Sequence, residues 1–233
     1  MIPQGSPEGG AAGAETSTRV AIREEIVIIY NLEPNDRDGG PFLNPTALLE
    51  KYFDGNDRGL EIVYRHSRFV ADKALRIAKR AGVPEHDLRF IEEAALLHDI
   101  GISRIYAPKL HCFGTAPYIC HGVIGREILE AEGLPRHAMV CERHIGVGLT
   151  ARDVVAQKLG LPEREMSPVT DCERIVALAD LFYSKKGGEL DREKSAEQVR
   201  SDLLRFGEEK VIIFENWISD FRLEIDALPA APA

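Results

Sequence analysis

The sequence predicts an all-α fold, and three observations carry that expectation. From Asn44 onward apolar residues recur at helical spacing. Asn, Asp, Ser, Thr and Pro stand where helices would start, with Gly where they would stop. The one β-branched run, Ile26 to Tyr30, has no evident partner strand.

Taken in order, residues 1–18 are rich in Gly, Ala, Pro and Ser and read as a disordered tail, as does the closing ALPAAPA, while residues 26–30 read as a short strand. Asn44 is suited to cap a short helix beginning at Pro45. Asp57 is expected to cap a long helix reaching Gly82 along the stripe Leu60, Val63, Val70, Ala74, Ile77 and Ala81. A third helix is expected from Pro84 to about Asp99, closing on Gly101, a fourth from Pro117 to Gly133 and a fifth from Pro135 to His144. Thr150 with Asp153 approximates a capping box, and Thr170 with Glu173 matches one. Ser195 with Gln198 opens a last helical region, broken near Gly207 and resumed through Val211, Phe214, Ile218 and Phe221. The stripe around Phe214, Trp217 and Phe221 reads as core packing, with a homodimer interface as its alternative use. This divides the chain into an N-terminal extension (1–43), a main helical domain (44–190), C-terminal helices packing on it (191–226) and a tail (227–233).

The 233 residues are 44% hydrophobic and 29% charged, which fits a folded soluble chain and excludes disorder throughout. A net charge of -9 argues against long nucleic acids and anionic membrane surfaces as partners. Cys112, Cys120, Cys141 and Cys172 form no CxxC pair, so neither a disulfide framework nor a zinc knuckle is indicated, and a reducing cytoplasm is the expected location. No targeting segment and no apolar run of bilayer-spanning length is visible.

The chemistry lies in the placement of His and Asp. In the third expected helix Leu88, Ile91 and Ala95 share a face, and His98 continues that face, followed at once by Asp99. A carboxylate near a helix C-terminus is disfavoured by the macrodipole unless a cation is close. The chain carries its own control: His86 and Asp87 are also adjacent, but in the first turn of the same helix, where Asp is favoured without any ligand. His98 and Asp99 have company on other expected helices: His66 in VYRHSRFVADKAL, His121 in YICHGVIGREIL, His144 in CERHIGVGL and Asp180 in ERIVALADLFYSK. His111 and His137 stand apart from this set.

With AALLHDIG at residues 94–101 and the ordered set His66, His98 with Asp99, His121, His144 and Asp180, the sequence resembles the HD superfamily of metal-dependent phosphohydrolases, HDIG type, over about residues 45–190. The resemblance implies an all-helical HD domain in which His66, His98, Asp99 and Asp180 hold one metal ion. His121 and His144 resemble the branch that holds two, with Asp99 bridging and orienting a hydroxide. The Lys that often follows HDIG is Ile102 here and no GYP motif follows, which argues against the cyclic-di-GMP phosphodiesterase branch.

Imidazole and carboxylate donors without thiolates suit Mn, Fe, Ni, Co, Zn or Mg, one or two ions per chain. Two such ions can acidify a shared water and clamp the attacking and leaving oxygens at phosphorus. No Ser or Cys nucleophile is then needed, and Cys120 reads as a packing residue. Arg104 and Lys185 are the expected phosphate contacts, and the connection 102–116, with Tyr106, Lys109, His111 and Phe113, is long enough to serve as a lid. The expected function is hydrolysis of a phosphoester or phosphoanhydride in a small phosphorylated substrate, a nucleotide being the favoured class. The alternative is a non-catalytic regulatory module that binds a nucleotide or a metal.

Overall fold

A computed structural model describes residues 43–186 and 189–224, and the strand expected at 26–30 and both tails lie outside the described residues. Within them the fold is all-α, as expected. It comprises α1 (Pro45–Tyr52), α2 (Asp57–Arg80), α3 (Glu85–Leu97), α4 (His121–Ala131), α5 (Pro135–Arg143), α6 (Ala151–Ala156), α7 (Asp171–Leu181), α8 (Ala196–Leu204) and α9 (Glu208–Asp220). One antiparallel hairpin, β1 (Tyr106–Ala107) with β2 (Cys112–Phe113), folds part of the long connection, Tyr106 opposite Phe113.

Helix starts follow the capping residues, with one shift. Asn44 accepts from the Ala47 N–H at 3.0 Å, and Ser195 with Gln198 and Thr150 with Asp153 form complete capping boxes. The long helix α2 is capped by Asn56, not Asp57. Asn56 Oδ1 accepts from the Gly59 N–H (3.0 Å) while its amide donates to the His111 carbonyl (2.9 Å), a second bond that an aspartate has no proton to make. Asp57 instead becomes the first helical residue, at the favourable end of the dipole. Thr170 caps α7, but Glu173 turns its carboxylate to the Val169 N–H (2.7 Å) and to Arg143, so the reciprocal half of that box is missing.

The departure that matters for function is at α3. The helix ends at Leu97, earlier than expected, and the chain tightens into a 3-10 turn over Ile100–Arg104 with Asp99 at its start, φ -106° and ψ 10°. Gly101 shows why. A Cβ there would lie 2.0 Å from the His121 carbonyl oxygen and 2.6 Å from the Gly125 nitrogen, so α4 rests directly on this turn. Likewise α4 begins at His121, after a 3-10 turn at Tyr118–Cys120, and not at Pro117.

The apolar core has two main parts that meet where the His and Asp residues lie. Val70, Ala74 and Ile77 of α2 pack with α3, α7 and the C-terminal helices, where Phe214, Trp217 and Phe221 are buried; each such side chain contributes about 1.5–3 kcal/mol. Leu60, Val63 and Tyr64 pack instead with α1, α4 and the turn Ile100–Ile105. The change-over on α2 falls around His66, and on α3 between Leu96 and Leu97, just before His98. Among the described residues no helix is long and apolar enough to cross a membrane.

Candidate metal centre

The six residues singled out in sequence converge at that seam. His66, His98 and Asp99 are fully buried and His121 and His144 almost so, while Asp180 keeps 16% of its side chain exposed and opens the group to solvent. The two oxygens of Asp99 face different partners. Oδ2 lies 3.5 Å from His66 Nε2 and 3.2 Å from His98 Nε2; Oδ1 lies 3.5 Å from His121 Nε2 and 3.6 Å from His144 Nε2. Asp180 Oδ1 closes the first side at 2.8 Å from His66 Nε2 and 3.4 Å from His98 Nε2.

Backbone geometry aims three of the rings. His98 Nδ1 is 2.6 Å from the Ala95 carbonyl, His121 Nδ1 2.7 Å from that of Tyr118 and His144 Nδ1 2.7 Å from that of Cys141, each three residues upstream. A carbonyl only accepts, so each Nδ1 carries a proton and donates it, and Nε2 is the nitrogen left to bear the lone pair when the ring is neutral or a second proton when it is charged. His66 differs: its Nε2 donates to Asp180, and its Nδ1 has no partner.

Several atoms of this cluster have no partner within the chain. His121 Nε2 and His144 Nε2 are 3.1 Å apart, and burial lowers the His121 pKa to about 4, so the His121 Nε2 carries no proton at neutral pH. His98 Nε2 and both Asp99 oxygens are buried with no hydrogen bond of good geometry. Burial opposes ionisation of Asp99 and Asp180, yet His98 and Lys185 hold Asp99, and Lys185 and His66 hold Asp180, well below the usual carboxylate range. Burial likewise disfavours protonated His98, but Asp99 and Asp180 overcome it and push its pKa up to about 10. His66, with burial dominant and Lys185 adding to it, falls to about 4. Positive charge comes from Lys185, whose Nζ is 2.7 Å from Asp99 Oδ2 and 3.6 Å from Asp180 Oδ1. Two donor groups are spaced for an ion, His66 with His98 and Asp180, and His98 with Asp99 and His144. Divalent ions fit this set: nitrogen and oxygen donors, no thiolate, and buried acceptors that only a cation completes.

The other expectations fare differently. Lys185 joins the cluster. Arg104 does not: it is exposed, with its guanidinium 5.5 Å from the centre of the Tyr52 ring. His111 sits at φ 55° in the hairpin, His137 is 3.3 Å from Glu93, and His86 is mostly exposed beside Asp87. Cys120 packs near Val154, Leu161 and Met166, and burial raises its thiol pKa. Sequence reasoning missed Tyr118, whose carbonyl fixes His121 and whose ring lies 4.8 Å from the His121 ring. Its position three residues before a candidate ligand, the spacing shared by Ala95 and Cys141, was the available signal.

A cavity of about 1110 Å³ opens over Asp180 and Lys185, with Tyr106, Lys109 and Tyr118 on one side and Gln198 and Ser201 of α8 on the other. The connection expected as a lid thus contributes a wall.

A family model described as HD domain matches residues 63–184. An uncharacterized protein of Methanocaldococcus jannaschii is 38% identical over 136 residues, covering 56% of this chain and 72% of that protein. A tRNA (cytidine(56)-2'-O)-methyltransferase of Thermoplasma volcanium is 34% identical over 125 residues, 53% of this chain and 32% of the other. A protein of the same name from Picrophilus torridus is 36% identical over 146 residues, 58% of this chain and 38% of the other. The chain therefore spans only about a third of the length of these two proteins. No solved structure matches.

Proposed function

The chain belongs to the HD-domain family, and on that premise we propose that it is a metal-dependent phosphohydrolase that cleaves a phosphoester or phosphoanhydride bond in a small phosphorylated substrate, a nucleotide being the favoured class. The observation that carries this reading is the two-sided carboxylate of Asp99, with two imidazole nitrogens near each oxygen. His66, His98, Asp99 and Asp180 would hold one divalent ion, and Asp99, His121 and His144 a second. Ions held there supply Lewis acidity toward phosphoryl oxygens and a water of lowered pKa.

The remaining work belongs to the chain. The Nδ1–H bonds to Ala95, Tyr118 and Cys141 keep three imidazoles oriented, so no reorganisation is needed as charge develops. Lys185 stands at the mouth of the cluster, 12% exposed, where its ammonium can move from Asp99 to a phosphate oxygen. Tyr118, tilted against the His121 ring, and Tyr106 line the cavity and offer rings to a base. The names of two partial relatives point to RNA metabolism and favour the nucleotide class.

The test is a panel of phosphomonoesters, phosphodiesters and phosphoanhydrides, assayed with and without chelator. Chelator-sensitive hydrolysis of one class supports the proposal. Tight nucleotide binding by metal-loaded protein without turnover across the panel would favour the non-catalytic module instead.

A further inference from the structure

The cavity over the cluster has more room than one phosphate group needs, since about 300–1,000 Å³ accommodates a whole drug-sized ligand. Its charge is also unlike that of the chain, which is -9 overall. Among the described residues lining it, Asp180 faces Lys185 and Asp202 accepts from Lys194 at 2.8 Å, so those charges are internally matched. That leaves Lys109, Lys186 and Arg192 against the single carboxylate of Glu189. None of these three cations has an ion pair or side-chain hydrogen bond with a described residue. They come from separate parts of the chain: the hairpin, the segment after α7 and the approach to α8, the last two beyond the segment matched by the family model.

We propose that Lys109, Lys186 and Arg192 form a second anion subsite, which holds a phosphate group of the substrate remote from the reacting one. This rests on the phosphohydrolase reading and deepens it: the substrate class becomes a nucleotide with at least two separate phosphates. One phosphate lies over Asp180 and Lys185, and the second is gripped at the cavity rim. Three exposed cations lining one concave opening favour a dianion more than the same charges scattered over a convex surface would.

The experiment measures binding by calorimetry on the metal-loaded full chain, comparing adenosine 5′-monophosphate with adenosine 3′,5′-bisphosphate and the dinucleotide pApA. At least one of the two-phosphate probes is expected to bind about tenfold or more tighter than the monophosphate. That gain should fall to within twofold of unity in the Lys109→Ala/Arg192→Ala double variant and persist in Lys79→Ala, an exposed cation on α2 away from the cavity. Equal affinity for all three probes, no measurable binding of the two-phosphate probes, or a gain that survives the double variant would overturn the subsite. Hydrolysis is scored separately. An intact affinity gain without turnover of any probe or of the wider panel counts against the phosphohydrolase reading and leaves the subsite standing.

Discussion

Asp99 and Glu142 are both carboxylates with almost no exposure, 0% and 1% of their side chains, and both belong to the packed heart of the fold. They differ in what completes them. Glu142 accepts from Arg126 at 2.6 Å on one oxygen and from Arg164 on the other, so its charge is balanced by two side chains of the same molecule. Asp99 is ringed by imidazole nitrogens, three of whose rings are aimed by backbone carbonyls, and has one ammonium, from Lys185. Burial of a carboxylate therefore does not by itself mark a functional site. The marker is a cluster of buried polar atoms around one carboxylate that the chain itself leaves without well-formed hydrogen bonds.

Variants that exchange the two behaviours test this contrast, from the largest expected effect downward. Asp99→Asn should abolish metal retention and reduce hydrolysis of the substrate found in the panel about 10³-fold or more, read by steady-state kinetics, because Asp99 would be a ligand common to both proposed ions. Glu142→Ala leaves two guanidinium groups without their buried partner and should cost about 3–5 kcal/mol in denaturant unfolding, with the metal content of the folded fraction unchanged. Chelation of the wild type should remove about 2.7 kcal/mol for each ion that had been at a hundredfold excess over its Kd, and should do nothing to Asp99→Asn.

Lys210 on α9 sharpens the comparison further. Its Nζ reaches the Gly148 carbonyl (3.1 Å) and Asp153 Oδ2 (2.6 Å), tying α9 to the loop that follows His144 and to α6. Lys210→Met should cost roughly 2–3 kcal/mol, read by thermal unfolding. Burial opposes ionisation of Asp153, but the Lys210 contact and the Thr150 cap hold its pKa below the ordinary 3.8. The stability from this lowered pKa is present above pH 3.8 and is lost as pH falls through the folded value. The variant should lose less stability than the wild type across that acid window. His86→Ala, the solvent-facing histidine of the other His-Asp pair, should change stability by less than about 0.5 kcal/mol and leave metal content alone.

The parts of this account legible in sequence are those that act locally. Capping pairs such as Ser195 with Gln198 state their own partners, and helical stripes such as Leu60 to Ile77 declare the buried face. The six candidate ligands stood out because polar residues continued apolar faces on separate helices. What escaped were features defined by distant contacts. Asn56 displaces Asp57 as a cap through a bond to His111, Arg104 is drawn to Tyr52, and Glu142 finds Arg126 and Arg164 across the fold. The early end of α3 was unreadable for the same reason, since the crowding at Gly101 comes from α4.

The central claim is that the Asp99 cluster is completed by divalent ions, and elemental analysis of protein purified without chelator or affinity nickel tests it most directly. The account predicts about two ions per chain, about one in the His121→Ala/His144→Ala double variant and none in Asp99→Asn. Metal-free wild type under replete conditions, or metal content unchanged in Asp99→Asn, would contradict it.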